Sequence, residues 1–385
     1  MNKEETGIIA VSSSHGIMHA YLVLLPALIP LIGGDLGSLE TIGYLASLVV
    51  LFYGFGSLPV GFIADLLSKR KLIMLSMFLC GGGSIIVGLS PNIPIAAVGL
   101  IILGIGASLY HPCGYAHMSL LSDEMRGRYM GFQGLGGDMG MAVSYFTSSI
   151  LGSQFGWRNT FIIWGVLGII MGIADFFLIE DIACEIDARE GVLDTLKTMF
   201  GKTEKRTMLL TFLIVIFSGM LWTGVSNFIM VYITDVKLVS LVIAGGLSTL
   251  KYTVGAFAQI FGGELSDRVG RKILLMFGYA AFTVSLFGLT LAPSNIMILL
   301  ILVIVLGFTF FVTQSPMNAL LGDVASKDTV GVTYGVNFTL KYGIGFFTPA
   351  IGGFLASNYS LNAVFYFFTI LSGLAFLVST MIEEN

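Results

Sequence analysis

Two lysines, Lys251 and Lys341, stand deep inside long apolar runs of the chain. Each lies about 12 residues into its run, roughly 18 Å deep at about 1.5 Å of helical rise per residue. A lysine stem does not snorkel that far. A lone charge at such depth costs at least about 2.5–3.5 kcal/mol, so residues of this kind face a protein interior or an aqueous cavity and handle ions or substrates. Asp138 is at similar depth in another run. Set against Lys251, it would either bridge two helices permanently or release when the carboxylate takes a proton or the lysine takes an anion. His15 and His19 are one turn apart and share a helix face. His111 stands before Pro112 in a separate apolar run. Imidazoles titrate near neutral pH, which makes these three candidates for carrying a coupling proton. Trp222 with Asn227, and Gln314 with Asn318 one turn on, complete the candidate binding set. Taken singly, each of these polar groups could equally be a hydrogen-bonded helix contact worth about 0.6 kcal/mol.

The elements that position these residues follow from composition. Of 385 residues, 56% are hydrophobic and 11% charged, against about 25% charged in soluble proteins; mean hydropathy is +0.92. This is a membrane protein. The net charge of −4 argues against a nucleic-acid partner, because phosphate binding needs concentrated Lys and Arg. Cys80, Cys113 and Cys184 show neither paired nor metal-ligand spacing, so no metal site or cofactor is expected. Without a nucleophile and base pair or a phosphate loop, the chain is not expected to be an enzyme.

Cutting at charged clusters, Gly and Pro gives twelve spans of a length that crosses the bilayer, near 7–32, 41–64, 72–90, 93–121, 127–152, 157–179, 207–235, 239–264, 271–292, 295–322, 329–356 and 361–381. In lipid each must satisfy its own backbone, so helices are expected. The first run is too long for a cleaved signal and should remain as a membrane helix. The even-numbered connections hold the basic clusters Lys69–Lys71, Arg126 with Arg128, Lys202–Arg206 and Arg268–Lys272, whereas the odd-numbered ones hold only Arg158 and Lys237. That asymmetry puts both termini in the cytoplasm of a cell whose inner (plasma) membrane the chain crosses. One longer connection, 180–206, is expected to link two six-helix bundles, 1–179 and 207–385.

A short charged turn occurs twice, about 200 residues apart, as expected of a chain built from two related halves. The second copy runs Gly263-Glu264-Leu265-Ser266-Asp267-Arg268-Val269-Gly270-Arg271-Lys272, and the first carries Gly61, Ala64, Asp65, Lys69 and Arg70 in the same order. Both resemble the signature loop of the major facilitator superfamily, roughly Gly-x-Leu-Ala-Asp-Arg-x-Gly-Arg-Arg. The first copy departs from it, with Leu66 and Ser68 where Arg and Gly are usual. The resemblance covers essentially the whole chain. It implies two pseudo-symmetric six-helix bundles around a cavity that opens alternately to either side. Helices 1, 4, 7 and 10 would line the cavity, and helices 2, 5, 8 and 11 would form the seam. It also implies a gate role for Asp65, Arg70, Asp267, Arg268 and Arg271. The histidines, Trp222, Asn227, Gln314 and Asn318 fall on the four cavity helices.

Within the superfamily, Gly106-Ala107-Ser108-Leu109-Tyr110-His111-Pro112 is similar to helix 4 of the fosmidomycin-resistance branch. Leu100, and Ser144-Tyr145, stand where drug antiporters carry Arg and Gly-Pro. The two deep lysines resemble in position the basic residues of the oxalate and formate exchangers. Lys251 and Lys341 against Asp138 leave one net positive charge, so the expected cargo is a small organic anion, a carboxylate first. Proton symport or anion exchange would drive it, in a protein expected to work as a monomer. The alternatives are proton-coupled efflux of a drug or phosphonate, and a sensor of transporter fold that binds but does not move its ligand.

Overall fold

The computed structural model describes residues 3–121, 125–181, 205–324 and 336–382. The side chain of Asp65, and Cys184, Arg189, Lys197, Lys202 and Lys327, lie outside the described residues. All regular secondary structure among the described residues is helical. The helices are α1 (Lys3–Ile32), α2 (Leu39–Leu66), α3 (Lys69–Leu89) and α4 (Ile93–Leu121). A single run, Arg126–Leu178, then supplies α5 (126–155) and α6 (157–178). There follow α7 (Lys205–Val231, prolonged by a π-helical turn Tyr232–Val236), α8 (Leu241–Val269), α9 (Arg271–Leu291), α10 (Ile296–Phe311, continued as Gln314–Val324), α11 (Phe347–Asn358, entered through a π-helical turn Thr339–Ile344) and α12 (Leu361–Thr380). Ten helical runs among the described residues are long and apolar enough to cross a membrane, and Arg128–Leu178, at 51 residues, is long enough to cross twice. With α11 added, the set is consistent with twelve passages.

Local chemistry sets several of these boundaries. Gly156 breaks the long run at φ 80° and ψ 161°, a conformation that residues with a β-carbon avoid. The chain doubles back there, because Trp164 Nε1 donates to Ser148 Oγ at 2.9 Å from the same distance on the other side of the break. Pro316 cannot donate to the carbonyl of Val312, and α10 is interrupted at that point. Ser68 caps α3 by accepting from Lys71 N at 3.2 Å. Lys237 donates to the carbonyl of Ala292 at 2.7 Å, just past the end of α9; burial lowers its pKa from the ordinary lysine value. Outside, the fold is apolar: Phe177, Phe257 and Val284 are each at least 70% exposed, the face a lipid-solvated helix presents.

The packing joins α1 to α5 and α4, α3 to α4 and the α5–α6 run, α8 to α10, and α9 to α12. Two further pairs form a seam between the first six helices and the rest: α5 against α8, and α2 against α11 with its π turn. At the seam Glu40 N donates to Ser357 Oγ at 2.9 Å and Thr249 Oγ1 to the carbonyl of Ala142 at 2.7 Å. Gly43 lies so close to the carbonyl of Pro349 that a methyl group there would overlap it. These contacts gather in the half of the molecule away from the charged turns, so that side is closed.

The crossing of α1 and α5 runs through Gly16, Gly136 and Gly140, where any added β-carbon would collide with the facing backbone. Small residues let helices approach this closely in lipid. Gly140→Val is therefore expected to lower stability by about 1–3 kcal/mol, as over-packing does. Thermal unfolding of the purified protein measures it; an unchanged midpoint would mean that α1 can move aside without cost.

Candidate functional site

The close α1–α5 crossing fixes the azimuth of His15 and His19, and α4 brings His111 to them from the other side. His15 Nε2 and His19 Nε2 each lie 3.2 Å from His111 Nε2. His15 Nδ1 is 2.6 Å from the carbonyl of Gln133 on α5. A carbonyl only accepts, so Nδ1 carries the proton and Nε2 presents a lone pair to the cluster. His111 Nδ1 meets Tyr53 Oη at 3.0 Å. His15 and His111 are buried, at 2% and 4% exposure, and Tyr110 stacks on His15 with ring centroids 5.1 Å apart.

On the other side of the seam, Lys341 sits in the π turn that leads into α11. Its Nζ donates to Gln314 Oε1 at 3.0 Å, and Gln314 Nε2 donates to Ser218 Oγ on α7 at 3.2 Å. Gly219 on α7 makes room for this turn, since a β-carbon there would overlap the Lys341 carbonyl. An aromatic chain joins the two sides: Trp222 packs on Tyr342 at 5.4 Å, Tyr342 on Tyr53 at 4.7 Å, and Tyr53 on His111 at 5.6 Å.

Lys251 is placed differently. It is buried at 5% exposure with Nζ 4.3 Å from the centre of the Tyr252 ring, a contact of about 0.5–2 kcal/mol. Among the described residues it has no ion pair. A cavity of about 10 Å³, bounded by Trp222, Ser226, Lys251, Tyr252 and Phe311, lies beside it and holds roughly one water. Asp138 and Lys251 are thus not an ion pair in this conformation. The physical reason is the direction of the Lys251 stem, which stays with Tyr252 on its own helix.

Other sequence candidates fall in varied places. Asn227 turns back on α7, its Nδ2 donating to the carbonyl of Thr223 at 2.7 Å. Asn318 makes no hydrogen bond to a described residue, so it does not join the Gln314 network. Asp175, a few residues from the end of α6, is fully buried and accepts from Ser14 Oγ at 2.8 and 2.9 Å; α1 covers it. At the charged turns, Arg70 pairs with Asp181 at 3.3 Å and its guanidinium lies 5.3 Å from the centre of the Phe176 ring. Asp267 and Arg268 are exposed, and Arg271 is half-buried. Tyr53, Ser218 and Tyr342 were missed as site residues, because single aromatic and hydroxyl residues in apolar runs carry no spacing signal.

An all-helical membrane fold that holds two lysines, a carboxylate and three histidines within its spans defines the class of a multi-pass small-molecule transporter. Residues 12–349 match the family model for the Major Facilitator Superfamily, and the chain belongs to that family. A probable L-galactonate transporter of Escherichia coli is 26% identical, covering 83% of this chain and 76% of its own. A multidrug resistance protein of Proteus mirabilis is 22% identical over 84% and 81%. Among solved structures, a bacterial homolog of the human lysosomal transporter Spinster, inward-facing and unoccupied, superposes with a TM-score of 0.83 at 15% identity, covering 99% of this chain and 98% of that one.

Proposed function

We propose that the protein moves a small organic anion, a carboxylate, by alternating access, coupled to protons or exchanged for another anion. The observation that carries this reading is Lys341, an ammonium at the seam whose one hydrogen-bond partner among the described residues is the neutral Gln314 Oε1. A point charge so placed can take a carboxylate without first breaking a salt bridge. Lys251, beside a water-sized cavity, would take a second anionic group. The L-galactonate relative lends the substrate class, since a galactonate is a sugar acid. The interior-negative potential opposes entry of each net negative charge by about 2.3 kcal/mol per 100 mV, so uptake needs coupled protons or exchange against another anion; for protons, Asp138 and the histidines are the proposed carriers. The working unit is a monomer of two bundles, 1–179 and 207–385, with both termini cytoplasmic.

Thermal-shift screening with sugar acids, small carboxylates, phosphonates and cationic drugs tests the substrate class, since a ligand of the native state raises apparent stability. Stabilisation by sugar acids or other carboxylates is expected. Stabilisation by drugs alone, with lowered drug sensitivity of expressing cells, would replace uptake by the efflux reading that the Proteus relative suggests. Ligand binding without counterflow in liposomes would replace transport by sensing.

The charged turns are proposed to lock the cytoplasmic gate when the cavity faces outward. The second copy keeps the Arg and Gly that the first lacks, so Asp267→Asn is expected to slow transport several-fold more than Asp65→Asn. Equal losses in liposome uptake would sink that ranking.

A further inference from the structure

We propose that His15, His19 and His111 form a binding site for a divalent transition-metal ion of the Zn²⁺ type. A tetrahedral zinc holds imidazole nitrogens at about 2.0–2.1 Å, which sets neighbouring ligand atoms about 3.3 Å apart. The two separations from His111 Nε2 are 3.2 Å each, and the ligand atoms of all three residues lie within 4.8 Å of one another. Only a small inward movement of His15 or His19 is needed to seat an ion.

The outer contacts point the same way. His15 gives its Nδ1 proton to the carbonyl of Gln133, and His111 Nδ1 meets the Tyr53 hydroxyl. Metal-bound histidines are oriented by such partners on the ring nitrogen away from the ion. Without an ion the arrangement is short of protons: the His15 lone pair faces His111 Nε2, which can give one hydrogen to only one of its two neighbours at full strength. A metal satisfies all three nitrogens together. The sequence did not suggest this site, because His111 lies far along the chain from the pair on α1.

Three protein ligands leave a fourth position open, the arrangement of reactive rather than purely structural zinc sites. Lys341 adjoins Tyr342, which packs on the same Tyr53 whose hydroxyl meets His111; a cation on that side opposes a bare dication and favours one that carries an anion. The fourth ligand is therefore assigned as an oxygen of the anionic cargo, held between the ion and the Lys341 ammonium. This last assignment rests on the function proposed above; the metal site itself does not, and with an ion bound the coupling proton falls to Asp138 rather than to the histidines.

The test uses full-length protein purified without a histidine tag, stripped with chelator and titrated with Co²⁺ and Zn²⁺ in detergent. The expected result is about one ion retained per chain after desalting, with the intense visible absorption of tetrahedral Co²⁺. His19→Ala and His111→Gln, checked for monodispersity, are expected to weaken binding at least tenfold, and His117→Ala to leave it unchanged. No retained ion and no tetrahedral spectrum in the wild-type protein would overturn the site. So would equal affinity in the wild type and both ligand variants. Adding carboxylates to the Co²⁺ form separates the two proposals: a changed spectrum supports the bridging anion, and an unchanged one removes that assignment while the metal site stands.

Discussion

Lys341→Met is expected to abolish uptake by reconstituted protein, lowering initial rates at least 100-fold, together with stabilisation by the anion that the wild type binds. A hundredfold is about 2.7 kcal/mol, within the range for losing one charge-assisted hydrogen bond along with its electrostatic field. Lys251→Met is expected to do less. Its ammonium rests on an aromatic face beside a one-water cavity. The measurements are liposome uptake and thermal shift with the same ligand, so that misfolding and lost binding are distinguished. If the Lys251→Met, Lys341→Met double variant still transports carboxylates, the assignment of cargo to the lysines is wrong.

The second large effect is conformational. Glu40→Cys combined with Ser357→Cys should join α2 to α11 where the Glu40 amide already donates to the Ser357 hydroxyl at 2.9 Å, near enough for a disulfide. Oxidation is then expected to stop transport almost completely, and reductant to restore it, because the proposed alternating access requires this side to open in every cycle. Cys80 and Cys113 are buried and free, so they do not compete for the oxidant. A cross-linked protein that carries cargo at the wild-type rate would exclude alternating access across this seam. The inward-facing likeness of the Spinster homolog concerns fold; the cross-link addresses motion.

Much of the fold was legible because lipid imposes a severe rule on backbone and length. The span placed at 93–121 is the helix Ile93–Leu121, since Pro91 and Pro94 mark its start and a charged cluster its end. The break at Gly156 stands between the fifth and sixth spans as placed. The eleventh span was drawn as one uninterrupted stretch, 329–356. Its described part is divided between a π turn and a shorter α-helix, a division that hydropathy does not register.

That division also sets the environment of Lys341. Counting along a regular helix sends its side chain towards α2, with Tyr53 and Ser57 as neighbours. In the π turn the phase shifts, Tyr342 takes the place against Tyr53, and Lys341 turns to Gln314. The histidines illustrate the opposite case. Their residue type and the one-turn spacing of His15 and His19 were visible, but their meeting with His111 depends on the close α1–α5 crossing. Asp138 and Lys251 each lie on a seam helix as expected, yet the seam brings the helices together without joining the two charges.

The π-helical turn Thr339–Ile344 makes the direction of the cavity cation a matter of residue arithmetic. Each residue added to or removed from a helical turn rotates everything beyond it by about 100°. Removing one residue after Lys341 would let the turn tighten to α form with its composition nearly intact, while rewinding the ammonium relative to α11. The length of this segment therefore matters as well as its letters, and a single-codon deletion there is expected to silence the carrier without touching a charged residue.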